Sequence, residues 1–296
     1  MITAHNLTKK FDGFTALDNV SFEFEDGEIF GIIGHNGAGK TTLLKIISGL
    51  ITPTSGELQI NAIDVVKNPI ALKEILGYLP EESRLYETMS ADNYLAFFGE
   101  IYGLSSQEIR LRSQKLFDAL SLEPNGKKLG EFSKGMKRKV AIARSLMHNP
   151  KLLVYDEPTS GLDSMTSRYI TDYLRMLKKE EKTIVLSAHN LYQVEAVCDK
   201  VMILKRGNVV AFGSMHELRE QFGSLTYRIF FSVQDPHILF GHTINYRQEE
   251  GFYICDARDL KELNEYTSMI SDAKGHVEKI ESHYPSLEEM LVKIGK

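Results

Sequence analysis

The chain has 296 residues, 43% of them apolar, and a formal net charge of −5. That length suits one large domain, or a large one with a small companion, and an acidic chain without any long lysine or arginine run argues against a nucleic-acid surface. No apolar stretch reaches the roughly 20 residues that a bilayer span needs, and Met1-Ile2-Thr3-Ala4-His5 does not resemble a signal peptide, so a chain soluble on its own is expected. Cys198 and Cys255 lie far apart without metal-type spacing, as expected of buried thiols in a reducing compartment.

In chain order, Ile2 to Leu7 and Val20 to Phe24 alternate as half-buried strands, with a turn at Asp26-Gly27. The run Ile29 to Ile33 is apolar throughout and predicts a buried strand. Gly34-His35-Asn36-Gly37-Ala38-Gly39-Lys40-Thr41 follows, a G-x-x-x-x-G-K-[ST] loop, and Thr42 to Ile47 opens a helix behind it. Glycines there let backbone N–H groups converge on phosphate oxygens. The helix N-terminus adds partial positive charge. Lys40 suits the β- and γ-phosphates and Thr41 suits Mg²⁺. Strands are expected near Glu57 to Ile60 and at Ile75 to Leu79, where Pro80 stops the run.

From Ser90 to about Lys151 the pattern is helical. Ser90 reads as an N-cap, Ser105 with Glu108 as a capping box, and Ile109, Leu116, Phe117 and Leu120 as one apolar stripe. Apolar strands return at Leu152 to Tyr155 and Thr183 to Leu186, as in a parallel sheet buried on both faces. Ile170, Tyr173, Leu174 and Leu177 mark a crossover helix between them. Ser214 with Glu217 opens a helix that Gly223 ends. Beyond it, strands are expected at Thr226 to Val233, Phe252 to Cys255 and His276 to Ser282. Helices are expected from Leu260 to about Ser271 and from a Ser286–Glu289 capping box, with Leu287, Met290, Leu291 and Ile294 as the stripe of the latter. The expected domains are 1–223, with a helical subdomain at about 90–151, and a small α+β domain at 224–296.

Two acids end the strand at Asp156-Glu157. Asp156 suits Mg²⁺ and Glu157 suits polarising an attacking water, since both would stand at a strand's carboxyl end near the phosphate loop. With these in place the chain closely resembles the ATP-binding subunit of an ABC transporter from about Ile2 to Leu218. Phe11 stands where that family stacks an aromatic on adenine, with Phe14 close by. Gly34, His35, Asn36, Gly37, Ala38, Gly39, Lys40, Thr41 and Thr42 match its Walker A loop. Ser133, Lys134, Gly135 and Met136, after Phe132, match its signature, which binds the nucleotide of the opposite subunit. Ser133 is also the natural N-cap of the following helix. Asp156 and Glu157 match Walker B and the catalytic glutamate, Ser160-Gly161-Leu162-Asp163 the D-loop, and His189 the switch histidine.

The chain departs from the family pattern in two places. The signature carries Lys134 and Met136 where glycine and glutamine are commonest. Glu81, with Glu82 beside it, falls where the Q-loop glutamine stands; its carboxylate still offers Mg²⁺ an oxygen but adds negative charge near the γ-phosphate. The resemblance implies a P-loop NTPase α/β core with an antiparallel β subdomain, an inserted helical subdomain and a small C-terminal α+β domain. It implies Mg²⁺-dependent hydrolysis of ATP, with Lys40, Glu157 and His189 catalytic. It also implies a homodimer, or a heterodimer with a related ATPase, on the cytoplasmic face of the membrane beside a permease on a separate chain.

The tail Tyr284-Pro285-Ser286-Leu287-Glu288-Glu289-Met290-Leu291 resembles the C-terminal extension of exporter-type members. DNA-repair relatives carry long insertions, and the segment between Glu81 and Ser133 is too short for one. Translation factors of the family carry two cassettes where this chain has one. A scaffold that binds ATP without turnover would not need Glu157 and His189.

Overall fold

The structure is a computed structural model describing residues 1–222, 225–234, 245–249 and 251–295, with the side chains of 292–295 outside the described set. It divides into two compact units, Met1–Met215 and His216–Lys296. The expected boundary at 223/224, and Gly223 as a helix stop, fall outside the described residues.

The first unit begins with β1 (Ile2–Phe11) and β2 (Phe14–Phe24), an antiparallel pair. Next come β3 (Ile29–Ile33), α1 (Lys40–Ile47), β4 (Ser55–Ile60) and β5 (Ile63–Asp64). After α2 (Pro69–Ile75) and β6 (Leu76–Leu79) stand the helices α3 (Ala91–Ile101), α4 (Ser106–Ala119) and α5 (Lys134–Leu146). The unit continues with β7 (Leu152–Asp156), α6 (Ser164–Lys179), β8 (Thr183–Ser187), α7 (Leu191–Val197), β9 (Lys200–Lys205) and β10 (Asn208–Ser214). One sheet is antiparallel in the order β2-β1-β4-β5; the other runs β10-β9-β3-β8-β7-β6. In the second sheet the pairs of β3, β6, β7, β8 and β9 are parallel, and β10 is antiparallel to β9.

The physical reasons are local. Every residue of β3, β7 and β8 is buried, which follows from their continuous apolar runs. The antiparallel sheet lays Ile2, Ala4, Leu7, Phe22 and Phe24 against Phe30, Ile32, Leu43 and Leu44 of the other layer in one core. Phe24 and Phe30 stack at 4.6 Å, and Phe22 and Phe30 at 5.8 Å. Ser90 and Ser105 cap α3 and α4, the latter with Glu108 in a reciprocal box, and Ile109, Leu116, Phe117 and Leu120 are buried as the stripe requires. The helix α2, which occupies part of the stretch expected as strand, and the elements α7, β9 and β10 add to the sequence reading.

In the second unit, α8 (Met215–Phe222) spans the division, followed by β11 (Thr226–Ser232), β12 (Tyr246–Glu249), β13 (Phe252–Ala257), α9 (Leu260–Asp272), β14 (His276–His283) and α10 (Leu287–Gly295). The strands pair antiparallel in the order β12-β13-β11-β14. Ile229, Phe231, Cys255, Ala257, Leu263 and Ile270 form its core. Ser286 and Glu289 exchange the two hydrogen bonds of a capping box, and Leu287 and Met290 are fully buried. The side chain of Ile294 lies outside the described residues. Cys198 and Cys255 are free, buried thiols.

Packing between β6 and α5 leaves no room for a side chain at Gly77. A Cβ there would lie 2.4 Å from the Ser145 carbonyl oxygen and 2.8 Å from a Leu153 methyl. Gly77→Ala is therefore expected to lower stability by about 1–3 kcal/mol, the usual cost of overpacking. Urea melting of the nucleotide-free protein measures this; an unchanged midpoint would contradict the close approach.

Candidate functional site

Parallel pairing brings the carboxyl ends of β6, β7, β8 and β3 to one edge of the sheet, where ligands of open α/β sheets bind. The phosphate loop leaves β3 and enters α1 at Lys40. His189 follows β8, Asp156 ends β7 with Glu157 next, and Glu81 follows β6. These segments line a cleft of about 360 Å³ together with Asn36 to Thr42, Phe14 and Ala16.

The loop depends on its glycines. Gly39 has φ 109, and a Cβ there would meet the Ala16 carbonyl oxygen at 2.6 Å. Gly34 has φ 156 and is crowded by the Leu204 carbonyl oxygen at 2.3 Å from an added Cβ. Lys40 is buried, and its Nζ donates to the Gly34 carbonyl oxygen at 2.8 Å and to that of His35 at 3.5 Å. Thr41 and Thr42 are half-buried along the cleft.

Asp156 is buried, and Ser187 Oγ donates to its Oδ1 at 2.5 Å. The same hydroxyl accepts from the Glu157 backbone N–H at 3.0 Å. Glu157 is 5% exposed and sits at φ 47, a left-handed conformation sparsely populated by residues with a side chain. Its Oε2 lies against His189 Nε2. Ligand atoms of Glu81, Glu157 and His189 all lie within 4.8 Å of one another. Burial raises the Glu157 carboxyl from 4.5 to about 7; the neighbouring Glu81 and Asp156 charges add to the rise, and Lys40 and Arg138 oppose it. Burial, then the Lys40 ammonium, lowers the His189 imidazole. Both shifts disfavour a charged pair.

Phe14 lines the cleft and Phe11, its cross-strand partner at the tip of the β1–β2 hairpin, does not. Phe11 instead packs under Lys9, whose Nζ stands 4.8 Å from the ring centre.

Ser133 caps α5, accepting from the Met136 N–H at 3.2 Å. Lys134, Gly135 and Met136 form the first turn of that helix, and none of the four residues lines the cleft. Lys134 lies instead beside residues 160–162, and Gly135 beside Thr166. A Cβ on Gly161 would lie 2.0 Å from Lys134 Nζ, and one on Gly135 3.1 Å from a Thr166 methyl. Asp163 caps α6, accepting from the Thr166 N–H at 2.9 Å and hydroxyl at 2.7 Å, which hold its carboxyl below the usual range. Lys134 and Ser160 share a second cavity of about 320 Å³ with Glu81, Glu82 and Arg138. Ser187 and Arg138 were not singled out by sequence reasoning. A serine at a strand end and an arginine in a basic helix carry no local signal of their partners.

The family model described as "ABC transporter" matches residues 17–160. The ABC transporter ATP-binding protein NatA of Bacillus subtilis is 39% identical, covering 74% of this chain and 92% of its own. The linearmycin resistance ATP-binding protein LnrL of the same organism is 34% identical over 76% of this chain and 73% of its own. YhaQ, an uncharacterized ABC transporter ATP-binding protein of Bacillus subtilis, is 30% identical over 100% of this chain and 99% of its own, the second unit included. Among solved structures, the dimeric post-hydrolysis cassette MJ0796 bound to ADP and Pi superposes with TM-score 0.67 at 28% identity, covering 73% of this chain and 99% of that one.

The raised Glu157 carboxyl sets a pH dependence. An acid whose value is higher folded than unfolded holds an extra proton in the folded state between about 4.5 and 7, so stability falls as pH rises through that window. Glu157→Gln removes this penalty. The variant's Tm relative to the parent is expected to climb between pH 5 and pH 8 in nucleotide-free protein with chelator; a difference that stays flat would mean an ordinary carboxyl.

Proposed function

This chain belongs to the ABC transporter family as an ATP-binding, ATP-hydrolysing subunit, and from that premise we propose that it powers export through a permease on a separate membrane chain. The observation that carries the reading is the division of the site. One cleft gathers Lys40, Thr41, Glu81, Glu157 and His189, while Ser133 to Met136 stand outside it. A signature that cannot reach its own chain's cleft suits a pair of copies, each closing the other's nucleotide site. The dimeric cassette among the structural neighbours supports that arrangement. Relatives named for linearmycin resistance and multidrug transport support the export direction. No helix among the described residues is long and apolar enough to cross a membrane, which fits a peripheral subunit at the cytoplasmic face.

In this reading the loop N–H groups and Lys40 hold the β- and γ-phosphates, with the Lys40 ammonium leaving the Gly34 and His35 carbonyl oxygens for the anion. Phe14 at the cleft wall, or Phe11, its partner across the hairpin, flanks the adenine. Glu157 orients the attacking water and draws its proton, and a carboxyl poised near 7 is matched to that task. His189, in contact with Glu157, faces the γ-phosphate. Thr41, Asp156 and Glu81 supply only oxygen donors, the chemistry a magnesium ion selects, and the ion would neutralise phosphate charge there. Asp163 caps α6 beside the signature and so fixes the surface presented to the second copy.

Lys40→Ala is expected to abolish measurable ATP binding, because it removes the compact charge on the phosphates. Glu157→Gln is expected to retain ATP, accumulate as an ATP-bound dimer and lose about a hundredfold or more in phosphate release, the low end of what general-base removal costs. Wild-type affinity in the first, or a monomer hydrolysing at the parent rate in the second, contradicts the roles. Purification from membranes in mild detergent, followed by identification of the co-purifying integral-membrane chain, tests the permease.

Glu81→Gln compared with Glu82→Gln tests the departure from the family pattern. Glu81 lines the cleft, whereas Glu82 is exposed and stands 3.9 Å from Arg84. Removing the Glu81 charge is expected to tighten Mg²⁺–ATP binding by on the order of 1 kcal/mol, with Glu82→Gln unchanged. Equal behaviour of the two defeats a special role for Glu81.

A further inference from the structure

Arg138 is buried in the second turn of α5, 6% exposed. Its Nε donates to the Pro158 carbonyl oxygen at 2.8 Å. One terminal nitrogen donates to the carbonyl oxygens of Asp156 at 3.0 Å and Glu157 at 2.7 Å. The other reaches the carbonyl oxygens of Pro80 at 2.7 Å and Glu81 at 3.0 Å and the Ser83 hydroxyl at 3.1 Å. A guanidinium has five N–H hydrogens, so all of its donor capacity goes to the two segments that carry Glu81 and Glu157.

The place of these bonds matters. The β6–β7 ladder ends at the pair Leu79↔Tyr155, immediately before both segments. Beyond that rung Arg138 replaces the ladder as the cross-link. Glu157 is then pinned from both sides of its residue, its N–H by Ser187 and its carbonyl by Arg138, at φ 47. The same side chain roots both segments in the helix whose first turn is Ser133 to Met136. We infer that Arg138 is a positioning residue for ATP hydrolysis, whose guanidinium fork fixes the Glu157 and Glu81 segments against each other and against the signature helix. This rests on the reading above that Glu157 acts on the attacking water. Only a fork can do this: a lysine offers three hydrogens from one point and cannot span both segments.

Arg138→Lys, which keeps the charge, separates positioning from bulk stability. In the folded variant, ATP affinity and KM are expected to stay within about twofold of the parent while kcat falls at least tenfold, since misplacement of about 1 Å costs up to two orders of magnitude. A kcat within twofold of the parent, or a loss of affinity and a rise in KM that match the fall in kcat, would overturn the inference. Ser83→Ala provides a second variant should Arg138→Lys not fold. It removes one acceptor on the Glu81 side, and kcat is expected to fall about two- to threefold at constant KM; an unchanged kcat in that variant overturns the link to Glu81. Glu157→Gln run alongside keeps the two ideas apart. If it hydrolyses at the parent rate, the role of Glu157 fails, whereas a Glu157-dependent enzyme indifferent to Arg138→Lys loses only the positioning role.

Discussion

Asp156 pairs with Ser187 across the parallel strands β7 and β8, and the geometry of the cleft depends on that rung. Ser187 is completely buried, and its hydroxyl is used in both directions, donating to Asp156 and accepting from Glu157. A buried hydroxyl with both functions filled costs little and fixes both partners. Side chains alternate along a strand, so a slip of one residue would exchange the faces on which Asp156 and Tyr155 stand. The apolar runs of β7 and β8, buried on both faces, hold the register against such a slip. Tyr155, the neighbour on the opposite face, is itself anchored by the Ser145 hydroxyl at 2.7 Å. The position of Glu157, the residue after Asp156, is thus set by sheet pairing on its N–H side and by Arg138 on its carbonyl side.

Charge and backbone conformation at this edge oppose stability. Glu157, Asp156 and Glu81 converge, with Lys40 and Arg138 as the positive groups acting on Glu157. A carboxyl held near 7 in a left-handed backbone carries a cost that the rest of the unit must offset. The core that joins the antiparallel sheet to β3 and α1 includes three stacked phenylalanines, Phe22, Phe24 and Phe30. Arg138 itself is desolvated, which lowers its value to about 10, and the Asp156 and Glu81 charges resist that fall. Its hydrogen bonds go chiefly to backbone carbonyls instead of carboxylates, so it tethers the chain without neutralising the acids.

Sequence patterning exposes those parts of this architecture that are local. The phosphate loop is legible because its glycines, Lys40 and Thr41 are contiguous and flanked by a strand and a helix. The continuous apolar runs of β3, β7 and β8 are legible because burial on both faces removes alternation. Helix caps at Ser90, Ser105 and Ser286 are legible because a cap needs only four residues. What escapes is long-range or ambiguous. The strands β9 and β10 complete the sheet from a part of the chain without a motif. The helix α2 is short and hides in a run that continues into β6. Ser187 and Arg138 acquire meaning only from partners 31 and 58 or fewer residues away. Phe11 and Phe14 are cross-strand partners at a hairpin tip, and nothing in their spacing says that Phe14 is the one lining the cleft.

Lys134 of the signature turn shares a cavity with Ser160 and Leu162, and the phosphate loop lines another. Glu81 lines both cavities, and Arg138 grips the backbone beneath it. In the dimer reading, the signature turn of one copy closes on the nucleotide in the cleft of the other. The two proposals then describe one mechanical unit. A displacement of α5 imposed through its first turn would pass through the Arg138 fork to the carbonyls of Glu81 and Glu157, because those hydrogen bonds leave the guanidinium no spare donor to trade. Lys134, packed over Gly161, adds a second tie between the start of α5 and the turn that follows Glu157. Departure from the family at Lys134 therefore sits where a longer side chain has a structural place to go, and the signature turn keeps Ser133 and Gly135 for the nucleotide.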